Sequence, residues 1–188
     1  SPWQLHVDLQ AVPARCLTTG AAMDLAQVQR LFRAGLTWGN RLGRRFGDSY
    51  LIVGECVVAG TTTAQAVLTA LGFAVAGLMG SSHPRCNHGQ KAEIVARGMA
   101  RWSPVPGTDL VWQALAAVGD PMQPFALGLA IAASCHSGVM LAGGSQMVAV
   151  YTLMTLLAEQ YEWRTQNVTI GTTKWLANDA TSQFSKLI

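Results

Sequence analysis

The chain has 188 residues, a formal charge of +3 with 12% charged residues, and half of its residues are hydrophobic. That composition excludes a disordered segment and supplies enough apolar material for one compact core. The positive charge is too small and too scattered for a nucleic-acid face, and the longest apolar run, residues 147–158, falls well short of the ~20 residues of a membrane span.

In chain order, residues 1–23 hold two prolines and little periodicity, and are expected to form an extended lead-in. Asp24 opens a helical pattern with Leu25, Val28, Leu31 and Phe32 on one face, running towards Phe46. Within it Arg41, Arg44 and Arg45 fall at helical spacing and read as a solvated face. Gly47-Asp48-Ser49 stops this helix, and a strand is expected over Tyr50–Val53. A helix starting at the Thr61 run follows, then a second short strand over Phe73–Met79. Ile94, Val95 and Met99 give a helix over Gly89–Trp102, ended by Ser103-Pro104-Val105-Pro106-Gly107. Thr108 or Asp109 caps a helix to Val118, and Gly119-Asp120-Pro121 ends it. Pro121–Ala133 reads as a small-residue helix suited to close packing on a sheet. A strand at Val139–Ala142, a helix over Gln146–Glu159, a strand at Asn167–Ile170 and one more helical start complete the pattern.

One unit recurs three times: an apolar strand, glycine, then Ser or Thr at a helix start. It appears as LIVGE…AGTTTAQAV, VMLAGGSQMVAV and VTIGTTKWL. Apolar strands alternating with helices imply an α/β fold of three layers, a Rossmann-like, largely parallel sheet with helices on both faces. In such a sheet a ligand sits beyond the carboxyl ends of the strands, where these glycine loops converge. Gly60 lets backbone approach a ligand, and Thr61, Thr62 and Thr63 offer hydroxyls beside the unpaired N–H groups of a helix start, which suits a phosphate. The competing reading is that the threonines only cap the helix. The lysine of a Walker A loop and a GxGxxG are both absent, so neither an NTPase nor a dinucleotide domain is supported.

Cys16, Cys56, Cys86 and Cys135 form no CxxC pair, and the opening SPWQLHVDLQ has neither the basic start nor the apolar core of a secretory leader. Reduced thiols in a cytoplasmic protein are the expectation. His83, Cys86 and His88 in SHPRCNH have no second cluster to complete a zinc site, and Cys135-His136 lies in an apolar run, so no metal is expected.

The segments GECVVAGTTTAQAVLTALG, SSHPRCNHGQKAEIVARG, GDPMQPFALGLAIAAS, VMLAGGSQMVAVYTL and TIGTTKWLANDA together resemble the nicotinate-nucleotide–dimethylbenzimidazole phosphoribosyltransferase family, most closely its cyanobacterial and archaeal branch. The likeness runs from about Leu31 onward. It implies transfer of ribose 5-phosphate from nicotinate mononucleotide to an aromatic base, giving the lower ligand of cobalamin, with no cofactor and a homodimeric assembly. By this resemblance Glu55 matches an active-site carboxylate, Gly60, Thr61 and Thr62 the loop against the nucleotide, and Lys91 a lysine approaching its phosphate. Gly143 and Gly144 match the glycine turn lining the same pocket, with Thr63, Ser81 and Ser145 as flanking donors. Each has a plainer reading: Lys91 as a surface lysine, Gly143-Gly144 as a site of close packing. The family's general base is a glutamate before a glycine-rich turn, and residues 182–188, SQFSKLI, do not match it. Residues 1–188 are therefore read as a single nucleotide-binding α/β domain, a central piece of a chain about twice as long. A non-catalytic nucleotide-binding or assembly module is the alternative.

Overall fold

Three short strands pair in parallel in the order β1 (Tyr50–Gly54), β2 (Gly138–Ala142), β3 (Val168–Gly171). The computed structural model that carries them describes residues 6–80, 86–179 and 182–187. In register, Leu51 pairs with Val139 and Val139 with Val168, while Val53 pairs with Leu141 and Leu141 with Ile170. These six apolar side chains share one face, because alternate residues of a strand point the same way. They enter the main core with Leu127 and Ile131 of α5 (Met122–Ser134) and Met147, Val150 and Leu153 of α6 (Ser145–Leu156). The protein is thus an α/β fold with a parallel, Rossmann-like sheet. Within the described residues the other face is open, and Tyr50 and Ile52 stand 59% and 62% exposed on it.

The remaining helices are α1 (Leu25–Arg45), α2 (Gly60–Ala70), α3 (His88–Met99), α4 (Leu110–Val118) and the single turn α7 (Lys174–Ala177). Asp109 caps α4 as expected, its carboxylate accepting from the Val111 N–H at 2.8 Å. From residue 6 the lead-in carries neither helix nor strand up to a 3₁₀ turn at Leu17–Thr19, and it then bonds α4 through Ala22 N–H to Ala117 O and Met23 N–H to Ala116 O.

α1 buries Val28, Leu31 and Phe32 and then Gly35, Gly39 and Gly43, one glycine per turn. That stripe lies in step along α5. A Cβ placed on Gly35 would sit 2.2 Å from Phe125 O, one on Gly39 2.3 Å from Leu129 O, and one on Gly43 3.0 Å from Ala133 O. The small-residue helix therefore packs on the sheet with one side and backbone-to-backbone on α1 with the other. Phe32 closes the contact, edge-on to the rings of Trp112 (4.7 Å) and Tyr161 (4.9 Å).

The strand expected at Phe73–Met79 is absent. Gly72 (φ +91°) and Gly77 (φ +81°) turn the backbone through conformations closed to an extended strand. Phe73 N–H instead bonds Leu68 O, closing the end of α2. The apolar residues there serve packing instead, with Val75 and Met79 joining Ala64, Leu68 and Ala149 in a second small cluster.

A methyl group cannot be accommodated at the α1–α5 crossing. The Cβ of Gly128→Ala would lie 2.2 Å from Phe32 O, a backbone atom with no freedom to retreat. The variant is expected to lose about 3 kcal/mol or more in urea denaturation. Gly89→Ala, at an exposed helical position with open space around it, should instead gain up to about 1 kcal/mol.

Candidate active site at the carboxyl edge of the sheet

Parallel pairing of Gly54 with Ala142 and of Ala142 with Gly171 makes all three following segments leave the sheet at one edge. Gly143 N–H donates to Gly171 O at 2.8 Å, which ties the second turn to the third. The convergence expected from the repeated strand–glycine–helix unit is therefore present.

Glu55 follows β1 directly and is half-buried. Its carboxylate folds back to accept the Val57 N–H at 2.8 Å. The position a Cβ would take on Gly143 is 4.0 Å from Glu55 Oε1, so the carboxylate stands between the first and second turns. Ala59, the residue before α2, has φ +60° and ψ +19°, a left-handed conformation that a residue with a Cβ adopts at a cost.

The first turn of α2 spends most of its donors internally. Gly60 N–H bonds Val57 O, and the N–H groups of Thr62 and Thr63 both reach Ala59 O. Thr61 N–H has no backbone partner among the described residues. No side chain caps the helix, so the plain capping reading of the threonines does not describe the geometry. Thr62 is buried and lines a cavity of about 530 Å³ whose walls include Leu17, Val57, Ala59, Ile94 and Asp120. Thr63 points inward, its hydroxyl 2.6 Å from Asp120 Oδ2. Gly60 leaves room for Gln146, whose Nε2 would lie 3.0 Å from an added Cβ.

Lys91 and Ser145 meet at Gly80. Lys91 is 3% exposed, and its ammonium donates to Gly80 O at 2.5 Å. Ser145 Oγ accepts Gly80 N–H at 3.2 Å. A surface position for Lys91 is thereby excluded. Burial lowers its pKa from the ordinary lysine value, while the nearby Cys86 and Asp179 pull it back up. Gly80 and Gly144 share another neighbour: a Cβ on either would meet a Leu176 methyl, at 2.4 and 2.5 Å. Gly144 thus lets α7 dock, which fits the close-packing alternative at that position. Thr173, in the third turn, caps α7 by accepting Leu176 N–H at 3.3 Å. Ser81 and His83 lie outside the described residues.

The expected residues accordingly form three neighbouring groups: Glu55 with Gly143; Gly60 and Thr63 with Gln146; and Lys91 with Ser145, around Gly80. Sequence reasoning missed Asp120, Gln123, Gln146 and Leu176. The spacing Asp120-x-x-Gln123 was the available signal for two of them. It is a capping-box pattern, and the structure makes both of its bonds: Asp120 N–H to Gln123 Oε1 at 3.1 Å and Gln123 N–H to Asp120 Oδ1 at 3.3 Å.

With its pKa lowered in the folded protein, Lys91 holds fewer protons there than in the unfolded chain across the window between the two pKa values. Stability therefore rises with pH through that window, up to the ordinary lysine value of about 10.4. Urea denaturation from pH 8 to pH 10 should give a smaller alkaline gain for Lys91→Met than for the wild type. Equal gains would mean that the amine is solvated.

Comparison with known proteins gives a consistent picture. A family model described as phosphoribosyltransferase (DBI_PRT) matches residues 7–169. A UPF0284 protein of Trichodesmium erythraeum is 51% identical over 180 residues, covering 93% of this chain and 49% of the relative. One from Microcystis aeruginosa is 50% identical over 181 residues, covering 94% and 48%. The chain thus spans about half the length of the curated relatives it matches. A solved nicotinate-nucleotide-dimethylbenzimidazole phosphoribosyltransferase of Thermus thermophilus shares the fold with a TM-score of 0.66 at 22% identity, over 84% of this chain and 45% of that one. A structure of CobT from the same organism gives 0.64 at 23% identity, over 84% and 46%.

Proposed function

The chain belongs to the phosphoribosyltransferase family, and on that premise we propose that it carries the nucleotide-holding part of a longer enzyme, which moves ribose 5-phosphate from nicotinate mononucleotide to an aromatic base for the lower ligand of cobalamin. The observation that carries this reading is the convergence of three glycine-bearing turns on one edge of a parallel sheet, with the Glu55 carboxylate between the first two. Displacement at the ribose anomeric carbon passes through an oxocarbenium-like state. The site must hold the phosphate, fix the ribose and stabilise positive charge as nicotinate leaves. Glu55 is suited to the last two of these once the ligand draws its carboxylate away from Val57 N–H.

The phosphate is assigned to the Thr61 N–H at the start of α2, which has no backbone partner among the described residues, with Lys91 supplying charge beside Gly80 and Ser145. The acceptor base must lose a proton, and that general base belongs to the part of the longer protein outside these residues. The four cysteines, all free, support a cytoplasmic setting. The exposed Tyr50 and Ile52 support association as a homodimer. A second reading, a nucleotide-binding module without turnover, draws on the way Glu55 is engaged by its own loop.

In the longer protein, nicotinate release from nicotinate mononucleotide should require dimethylbenzimidazole, adenine or a similar base. Glu55→Gln should lower kcat by about 10²–10³-fold, the scale of a lost electrostatic contact in the transition state. A wild type that releases no nicotinate with any of these bases would leave the binding-module reading. The chain by itself should bind nicotinate mononucleotide with a Kd of about 1 mM, some ~4 kcal/mol. Amide shifts in nuclear magnetic resonance should appear at Gly60–Thr63. Shifts confined to Cys86–His88 would refute the assignment of the phosphate.

A further inference from the structure

Beneath the two glycine turns lies a closed ring of hydrogen bonds that neither the family match nor the proposed chemistry uses. Asp120 N–H donates to Gln123 Oε1 at 3.1 Å, Gln123 Nε2 donates to Gln146 Oε1 at 2.9 Å, and Gln146 Nε2 returns to Asp120 Oδ2 at 2.6 Å. Thr63 joins it from α2, donating to the same Oδ2 at 2.6 Å and lying 3.1 Å from Gln146 Nε2. Asp120 Oδ1 is engaged by the N–H groups of Met122 and Gln123 at 3.0 and 3.3 Å. Asp120, Gln123 and Gln146 are 5%, 0% and 1% exposed, so an unpaired donor or acceptor among them is costly.

The ring has a direction that chemistry fixes. It begins at a backbone N–H, which can only donate, and each amide passes the donor sense onward. It must therefore end on an accepting oxygen, and because the other oxygen of Asp120 already accepts from the Met122 and Gln123 N–H groups, only a carboxylate, which accepts at both oxygens, fits. An amide at position 120 would set a donor against a donor. Turning the two glutamines would only move the conflict to the Asp120 N–H. The ring also joins the first turns of three helices: Thr63 belongs to α2, Gln123 to α5 and Gln146 to α6.

We propose that Asp120 is a positioning residue whose directional hydrogen-bond ring with Gln123 and Gln146, joined by Thr63, sets the spacing between the Gly60–Thr63 turn and the Gly143–Gln146 turn. Its effect on ligand affinity rests on the proposed nucleotide site, whereas its effect on the two turns does not. The geometry offers a reversal: Asp120→Asn combined with Gln146→Glu moves the obligate acceptor from one side of the ring to the other. The carboxylate introduced at 146 accepts from Gln123 Nε2 and from the amide introduced at 120, and Thr63 keeps Gly60 O as its acceptor, now 3.0 Å away. Gln146→Glu alone sets two carboxylates against each other.

The test compares wild type, both single variants and the double variant as the complete 188-residue chain. Without ligand, each single variant should displace the amide resonances of both turns together, and the double variant should bring them back towards wild type. Titration with nicotinate mononucleotide should give an affinity at least tenfold weaker for Asp120→Asn and within threefold of wild type for the double variant. If Asp120→Asn does not fold, folding of the double variant supports the ring, and failure of both overturns it. Singles that leave either turn unmoved, or a double variant no better than the singles, also overturn it. A wild type that binds no nucleotide while the shift pattern holds leaves the ring standing and removes the proposed site.

Discussion

Where Gly35 of α1 crosses Gly128 of α5, neither helix has room for one added carbon: the missing Cβ atoms would lie 2.2 Å from Phe125 O and Phe32 O. This contact fixes the separation of α1 and α5, because backbone cannot rotate out of the way as a side chain can. α5 in turn lies under the sheet, with Leu127 and Ile131 in the same core as Val139 and Leu141. Its first turn holds the Asp120–Gln123 capping bonds. The glycine stripe of α1 therefore acts on the candidate site at a distance: it seats α5, and α5 presents Asp120 to the first turns of α2 and α6.

Much of this was legible in the sequence because it is local. Apolar runs bounded by glycine marked β1, β2 and β3 to within a residue or so, and Asp109 named its own cap. The parallel sheet followed from the repetition of one strand–turn–helix unit, and so did the shared edge where Glu55, Gly60 and Gly143 meet. Phe73–Met79 looks like a strand by composition, and the positive φ of Gly72 and Gly77 turns it instead. Other features depend on partners distant along the chain. Gly144 has Leu176, more than thirty residues on, packed against it, a contact that its own neighbours in sequence do not announce. Gly35, Gly39 and Gly43 lower helix propensity, and their purpose appears only against the backbone of α5.

The threonine run illustrates how one motif divides its labour. Three consecutive residues at a helix start face three directions, about 100° apart on a 3.6-residue turn. Thr61 keeps an N–H with no backbone partner among the described residues, Thr62 is buried against the neighbouring cavity, and Thr63, at the edge of the same cavity, bonds Asp120. Only the first keeps the role that a phosphate loop asks of it. Ala59, in a left-handed conformation, joins the loop after β1 to the helix, with Gly60 N–H bonding Val57 O, while Thr61 N–H, like other first-turn donors, has no backbone partner among the described residues. The left-handed Ala59 is a local cost next to that donor, of the kind that persists where the surrounding structure over-determines it.

Charge balance follows the same division. Two consecutive residues of α6 reach buried charges of opposite sign: Gln146 bonds Asp120, and Ser145 shares Gly80 with Lys91. Asp120 takes up the positive end of α5 through the Met122 and Gln123 N–H groups, so a second anion gains little there, whereas from α2 it takes only the Thr63 hydroxyl and leaves the backbone donors of that helix start uncommitted to it. The Lys91 side has the reverse character. Its ammonium is desolvated and held by a carbonyl that carries no net charge, with Asp179 as a nearby anion. An arriving phosphate would stabilise the charged amine that burial disfavours, and its attraction would be strong because little water screens it. The buried carboxylate holds the turns in place, and the buried amine is left with charge to offer.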